Sequence, residues 1–223
     1  MSTRQTPDDQ DDRTPRGERR YLDVDSPVGP LRIVVDAAAI VGLYHGDHSP
    51  SPAPDLLGQP SSSPSSSPSS SPSSSLLSSP SARSSEPTAD AAGEVIDSPQ
   101  TPECGLLGRA AVELEEYFAG DRQRFDVPVA LRGTDFQRAV WAALIDIPFG
   151  ERRSYRDIAE QLGNAGMGRA IGAAVRANPV SIIVPGHRIV SSTGTVIGYA
   201  AGVETKIRLL DREAEALSRM AGG

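Results

Sequence analysis

Short apolar runs separated by turn residues mark the amino-terminal part of the chain. They cover 21–24, 31–35 and 40–44, and segments rich in Pro, Gly, Asp and Ala separate them. Runs of this length bounded by turn residues are typical of antiparallel strands. The pattern predicts a small antiparallel meander, and residues 124–131 are a candidate for one further strand.

A helical period follows after residue 100. Thr101 is a candidate N-cap, Pro102 suits the first helical position, and Gly120 ends the pattern. Apolar residues recur between them every three or four positions, namely Leu107, Ala110, Leu114 and Phe118. The spacing predicts one amphipathic helix.

The carboxy-terminal part has the pattern of several short helices. A capping box at 134–137 precedes an apolar stripe that ends at Pro148. Ser154 can cap a helix over 155–162, and a further helix is predicted over 168–176. Two short helices joined by a tight Gly-containing turn are typical of a helix-turn-helix. A last helix is predicted from Val203, with an apolar face of Ile207, Leu210, Ala214 and Leu217.

Composition divides the chain further. Residues 49–100 are mostly Ser and Pro, and residues 1–17 are rich in Asp, so neither segment can bury enough apolar surface to fold. Both are predicted to be disordered. The expected organisation is an α/β accessory domain at 18–131, interrupted by the insertion at 49–100, and a mainly helical domain at 132–223.

Charge and composition narrow the function classes. The net charge is −7, but residues 132–223 hold 12 Lys and Arg against nine Asp and Glu, while the rest holds 10 against 20. The basic part is compatible with DNA binding. No apolar run is long enough to span a membrane, and because no charged segment followed by an apolar run opens the sequence, we expect no signal peptide. With Cys104 as the single cysteine and only the pair His45 and His48 at a metal-like spacing, we expect no metal and no cofactor.

A set of spaced motifs carries a family resemblance. Ile182-Ile183-Val184, an apolar run that is predicted to form a strand, leads into Pro185-Gly186-His187-Arg188, and Gly198-Tyr199 and Leu209-Leu210 before Glu213 follow. Together with Ser154-Tyr155, Gly168-Arg169-Ala170 and Arg176-Ala177-Asn178-Pro179, this pattern resembles the O6-alkylguanine-DNA alkyltransferase family. In that family the residue between the proline and the histidine is a cysteine that takes the alkyl group from the base. Here it is Gly186.

The resemblance implies a fold and a DNA interface. The fold is an α/β accessory domain plus a mainly helical domain with a winged-helix-like helix-turn-helix, joined across a disordered Ser/Pro insertion. Arg169 would fill the hole left in the base stack when the damaged base rotates out, beside the small residues Gly172 and Ala173 of a helix in the minor groove. Tyr155 would contact the flipped nucleotide. Each residue also has a simpler interpretation. Arg169 can be a solvated surface arginine, Gly172 and Ala173 can serve tight helix packing, and Tyr155 can be a core tyrosine.

The resemblance also implies roles around the missing nucleophile. His187 corresponds to the general base and Glu213 to its orienting carboxylate, in the logic of a catalytic triad. Without a nucleophile, they and Asn178 serve instead as a buried hydrogen-bonded network that shapes the pocket. The further residues assigned to DNA or lesion binding are Arg176, Arg188, Tyr199 and Ala200. Arg188 can be structural or can face a phosphate, and Tyr199 and Ala200 would form a pocket wall.

The expected function is that of an alkyltransferase-like lesion reader. Such a protein binds O6-alkylguanine in double-stranded DNA without repairing it and flags it for nucleotide-excision repair proteins. We expect a monomer in the cytoplasm, associated with the nucleoid when bound to DNA. The alternatives are a methyltransferase that uses another acceptor, for which Cys104 is the candidate, and a helix-turn-helix regulator that does not flip bases.

Overall fold

Three antiparallel strands open the described part of the chain. The computed structural model describes residues 19–49, 51–61 and 102–222. Strands β1 (Arg19–Val24), β2 (Leu31–Asp36) and β3 (Ala39–His45) pair in sequence order, which confirms the predicted meander. Strands β2 and β3 are buried on both faces: Ile33 and Leu43 lie in the main core, and Val34 and Val41 lie in a smaller cluster.

Residues 51–61 correct the predicted insertion. They form a short helix, α1 (Pro54–Leu57), and a two-residue strand, β4 (Gln59–Pro60), parallel to β1. The amide of Ser61 donates to the carbonyl of Tyr21 at 2.8 Å. The disorder prediction is wrong for this stretch, because backbone pairing with an open sheet edge does not depend on large side chains. The rest of the predicted insertion and the predicted amino-terminal tail lie outside the described residues.

A long helix and a loop lead to the carboxy-terminal half. Helix α2 (Pro102–Ala119) occupies the predicted span, and Thr101 lies outside the described residues. The strand predicted for 124–131 is wrong, since only Val129 forms a bridge, with Ile40. Pro128 lies in this segment and has no amide hydrogen to extend a ladder.

Short helices then build the second half. Helix α3 (Asp135–Ile145) begins with the predicted capping box at Thr134. Strand β5 (Arg153–Ser154) leads into helix α4 (Tyr155–Gln161), which begins with a capping box at Ser154, the predicted cap. A 3-10 turn (Ala165–Met167) joins α4 to helix α5 (Gly168–Arg176). After a second 3-10 turn (Gly186–Arg188) come strand β6 (Ile189–Val190) and helix α6 (Gly202–Ala221).

The segment before Gly186 is a turn and not the predicted strand. Ile182 has a φ of 70°, and the amide of Ile183 donates to the carbonyl of Ser181 at 2.8 Å, which is a γ-turn of the rarer, positive-φ kind. A positive φ is strained for a β-branched residue. The segment is held against β3, because the Leu43 amide donates to Pro179 and the Leu43 carbonyl accepts from Ser181.

The buried face of α6 differs from the predicted apolar stripe. Ile207 and Leu217 are 41% and 37% exposed, and Ala214 is exposed as well. The buried residues of α6 are Lys206, Leu209, Leu210, Glu213 and Ala216. Apolar residues alone predict the wrong buried face for α6. The charged side chains of Lys206 and Glu213 are buried because residues outside the helix supply their hydrogen-bond partners.

One hydrophobic core joins the two halves of the described chain. It contains residues from the sheet, from α2 and from the later helices, such as Ile33, Leu107, Trp141, Ile189 and Leu209. The architecture is thus a sheet-containing amino-terminal region and a helical carboxy-terminal region. The domain boundaries at 18–131 and 132–223 and the winged-helix likeness remain predictions.

Candidate functional site

A pocket of about 550 Å³ opens between the start of α4, one face of α5 and the loop before α6. Eight of the residues that the sequence assigns to the site line it: Tyr155, Arg169, Gly172, Ala173, Arg176, Asn178, Tyr199 and Ala200. Val175, Ser181, Ile197 and Gly198 complete the lining. The tertiary structure therefore brings together side chains that are up to 45 positions apart, between Tyr155 and Ala200.

Helix α5 gives the pocket one wall and its rim. Its buried side packs Ile171, Ala174 and Val175 into the core. Trp141 fixes the helix, because its indole N–H donates to the carbonyl of Ala174 at 2.9 Å. The other side carries the exposed Arg169 and Ala173 and the half-buried Gly172. A face of small residues between Arg169 and Arg176 is left open to a ligand.

Tyr155 and the loop at 197–200 form the opposite wall. The Tyr155 hydroxyl lies 3.4 Å from the carbonyl of Ile197, and burial raises its pKa. The Lys206 ammonium donates to the carbonyls of Ile197 and Gly198, at 2.7 and 3.1 Å, from beneath the loop. Burial lowers the pKa of Lys206 to about 8. The loop is therefore anchored to α6 through one buried cation.

Gly186 and His187 lie beneath the pocket, where both are buried. A Cβ atom at Gly186 would stand 3.3 Å from Cγ1 of Val175 and 3.7 Å from Nδ2 of Asn178, and both of those residues line the pocket. The backbone of Gly186 is outside the left-handed region. Asn178 donates to the carbonyl of Val184 at 2.8 Å and accepts from the amide of Val180 at 3.0 Å, so it fixes the approach to Gly186.

Glu213 is the centre of a buried network under this turn. Its Oε1 accepts from Nε2 of His187 at 2.8 Å and from the Tyr117 hydroxyl at 2.8 Å, and its Oε2 accepts from the amide of Gly150 at 2.9 Å. Burial would raise the pKa of Glu213, but the hydrogen bond from His187 and the hydrogen bonds and charge of Arg188 outweigh it and hold the pKa at about 2. The carboxylate is therefore ionised and fully occupied by donors.

His187 is neutral in this setting and carries its proton on Nε2. Burial lowers its pKa, and Glu213 offsets that only in part. Since an ionised Glu213 only accepts, Nε2 is the donor, and Nδ1 is left as a bare acceptor. The Nδ1 atom is buried and has no partner among the described residues. The arrangement can take up a proton from a neighbouring group, and no side chain at Gly186 supplies one.

Arg188 lies outside the pocket. Its guanidinium is buried, pairs with Glu213 at 2.9 Å and donates to the carbonyl of Ile147 at 2.6 Å. This placement favours the structural one of its two expected roles over a contact with DNA. A buried pair of this kind keeps the charge of Glu213 compensated.

Comparison with known proteins decides the family. A family model described as 6-O-methylguanine DNA methyltransferase, DNA binding domain, matches residues 135–215. The methylated-DNA–protein-cysteine methyltransferase of Mycobacterium tuberculosis H37Rv is 49% identical over 113 residues, which are 51% of this chain and 68% of that protein. The chain belongs to the O6-methylguanine DNA methyltransferase family.

Solved structures extend the likeness to most of the chain. Mycobacterium tuberculosis OGT, crystallised in complex with DNA, superposes with a TM-score of 0.65 at 31% identity, over 88% of this chain and 94% of that one. This methyltransferase-family chain thus shares its sheet as well as its helical half with that relative.

A further relative is known from its sequence. The inducible methylated-DNA–protein-cysteine methyltransferase of Bacillus subtilis is 49% identical over 110 residues, 49% of this chain and 62% of that protein.

Sequence reasoning missed three residues that contact the site from outside the expected motifs. Tyr117 reaches Glu213, Lys206 anchors the pocket loop, and Nε2 of His45 lies 3.0 Å from the Tyr199 hydroxyl. Lys206 and Glu213 are two helical turns apart and therefore lie on one face of α6, a spacing that the sequence itself shows. Tyr117 and His45 gave no local signal, since both lie in the amino-terminal half.

The described residues hold no group of three or more His, Cys, Asp and Glu side chains that could bind a metal ion. His45 and His48 are both buried, and His48 packs edge-on against Tyr44. Within the described part of the chain, no helix is long and apolar enough to cross a membrane. The side chain of Cys104 lies outside the described part.

Proposed function

We propose that this protein recognises O6-alkylguanine in double-stranded DNA, rotates the altered base into the pocket, and does not take up the alkyl group. The relatives named as methylated-DNA–protein-cysteine methyltransferases and the OGT complex with DNA support the substrate class. In this proposal the protein acts in DNA repair as a lesion reader.

The proposed DNA contact is the open face of α5. Arg169 is exposed at the pocket rim, and Gly172 and Ala173 beside it are small enough for a nucleic-acid backbone to approach. A base that leaves the stack creates a hole, and a cationic side chain at the rim can fill it. Arg176 at the end of the same helix would contact a phosphate.

One observation supports the absence of alkyl transfer: Gly186 stands directly before a histidine that is held in place as a base. His187 is held by Glu213 and presents a bare Nδ1, yet the residue before it has no side chain. Thiolate formation needs a thiol within reach of such a base. The single cysteine, Cys104, lies outside the residues that the family model matches. We therefore assign His187, Glu213 and Asn178 to the support of the pocket.

A single titration separates the three candidate functions. The purified chain is mixed with a duplex that carries a radiolabelled methyl group on O6 of one guanine, and with the same duplex unmodified. We expect tighter binding of the methylated duplex and no label on the protein. Labelled protein whose label disappears in Cys104→Ser would identify a methyltransferase with another acceptor. Equal affinity for both duplexes would identify a regulator that does not flip bases.

Partners and assembly remain predictions of this proposal. A reader that leaves the lesion in place must pass it to an excision system, so we expect nucleotide-excision repair proteins to bind the protein–DNA complex. Monomeric binding and a cytoplasmic, nucleoid-associated location are expected with it. No cofactor enters the proposed function.

A further inference from the structure

The end of strand β3 is attached to the pocket loop at two points. Nε2 of His45 lies 3.0 Å from the hydroxyl oxygen of Tyr199, and the two rings meet edge-on with their centroids 5.5 Å apart. The amide of Ser49 donates to the carbonyl of Ala200 at 2.8 Å. Tyr199 and Ala200 both line the pocket, whereas His45 and Ser49 do not. The amino-terminal sheet thus contacts the wall of a site that the carboxy-terminal half builds.

The surroundings of His45 select its tautomer. Its side chain is 5% exposed, and its Nδ1 atom is buried without a partner among the described residues. A proton on Nδ1 would be an orphaned buried N–H, which proteins avoid more strictly than an unused acceptor. Burial, with a contribution from His48 and His187, lowers the pKa of His45 to about 4, so the ring is neutral. The single ring proton therefore belongs on Nε2.

That tautomer determines the direction of the Tyr199 hydroxyl. If Nε2 of His45 carries the proton, it donates to the phenol oxygen. Burial raises the pKa of Tyr199, which keeps the phenol protonated. A phenol oxygen that accepts from Nε2 of His45 has its own proton left to donate elsewhere. Because Tyr199 lines the pocket, this proton is available to a ligand there.

We infer that His45 is a positioning residue that turns the Tyr199 hydroxyl into a fixed hydrogen-bond donor toward the base in the pocket. The inference rests on the proposed function. Alkylation of O6 removes the N1 hydrogen of guanine, so the altered base offers a ring-nitrogen acceptor where the normal base offers a donor. A fixed donor in the pocket wall matches the ring-nitrogen acceptor of the altered base. With the normal base the same donor would face another donor, and both groups would lack an acceptor.

The first test is a double-mutant cycle on DNA binding. His45→Leu is expected to weaken binding of an O6-methylguanine duplex roughly three- to tenfold, the effect of one hydrogen bond, and to leave the intact duplex unchanged. His45→Gln, whose amide can donate to the same oxygen, should restore most of the loss. In a Tyr199→Phe background, His45→Leu should have no further effect. His48→Leu is the matched control, since that buried histidine packs on Tyr44 and does not reach the pocket. Equal losses from His45→Leu in both backgrounds would overturn the inference.

The second test needs no lesion and no variant. Long-range ¹H–¹⁵N correlation spectra of the wild-type protein at neutral pH report which ring nitrogen of His45 is protonated. A proton on Nε2 supports the inference, and a proton on Nδ1 overturns it. If the wild type binds damaged and intact duplexes equally, the proposed function fails, and the tautomer still decides the assignment of His45.

Discussion

Nε2 of His187 lies 2.8 Å from Oε1 of Glu213, and both side chains are fully buried. The same carboxylate compensates the charge of Arg188 and accepts from Tyr117, a residue 96 positions earlier in the chain. The pair that resembles a catalytic dyad is therefore also a structural joint between α2 and α6. Its double role explains how it can persist without a nucleophile beside it.

Removal of the Glu213 charge should destabilise the protein strongly. Glu213→Gln leaves the buried guanidinium of Arg188 without a counter-ion, and breaking such a pair costs about 3–5 kcal/mol. The free energy of unfolding in urea measures the loss. Glu215→Gln, an exposed position two residues further on α6, is the control and should change stability little. Similar values for the two variants would contradict the network described for Glu213.

Stability should fall as the pH falls from about 6.5. The pKa of His45 is lowered to about 4, and burial also lowers the pKa values of His48 and His187, so the unfolded chain binds more protons than the native protein in this range. His45 alone accounts for a loss on the order of 3 kcal/mol between pH 6.5 and 4. Below about pH 4.5 the lowered pKa of Glu213, about 2, adds a second loss in the same direction. Urea midpoints between pH 7.5 and 4 measure the slope, and His45→Gln should flatten it. An unchanged slope in that variant would show that His45 titrates normally in the native protein.

Arg169→Ala should weaken lesion binding by more than one phosphate contact does, roughly tenfold, because the stack is left with an unfilled hole. The salt dependence of binding should change by only about one charge. Arg208→Ala removes one exposed charge of α6, where Arg208 pairs with Glu204, and is the control. Filter binding over a salt series with methylated and intact duplexes measures both quantities. A loss of equal size on the two duplexes would mean that Arg169 contacts phosphate only.

Gly186→Cys should restore alkyl transfer, once per protein molecule, because a thioether is not hydrolysed. The backbone there tolerates a side chain, and the added Cβ needs a small shift of Val175, 3.3 Å away. His187 with its bare Nδ1 would then act as the base for the new thiol. Mass spectrometry after incubation with an O6-methylguanine duplex measures the added methyl group. Gly186→Ser has nearly the same size and no thiol, so it controls for the fit of the side chain. A folded Gly186→Cys protein that binds the lesion but gains no methyl group would show that His187 and Glu213 no longer form an activating pair.

The hydrophobic pattern and local chemistry determined the elements whose causes are local. The three strands of the meander follow from short apolar runs bounded by turn residues, and α3 and α4 begin where Thr134 and Ser154 cap them. The motifs from Tyr155 to Glu213 indicated the family and eight residues of the pocket before any geometry was known. The strand and helix predictions succeed because each depends on contacts within a few residues along the chain, whereas the pocket residues came from the family resemblance.

Only the tertiary structure decided what distant segments do to one another. β4 forms because β1 has an open edge, and Ile182 takes a strained turn directly after the backbone that Leu43 of β3 holds at Pro179 and Ser181. The buried face of α6 includes Lys206 and Glu213 because carbonyls, His187 and Arg188 from elsewhere satisfy their charges. His45 and Tyr199 are 154 positions apart, and no local period relates them. A buried polar group is stable only if its partner is in place, and the fold alone determines where that partner lies.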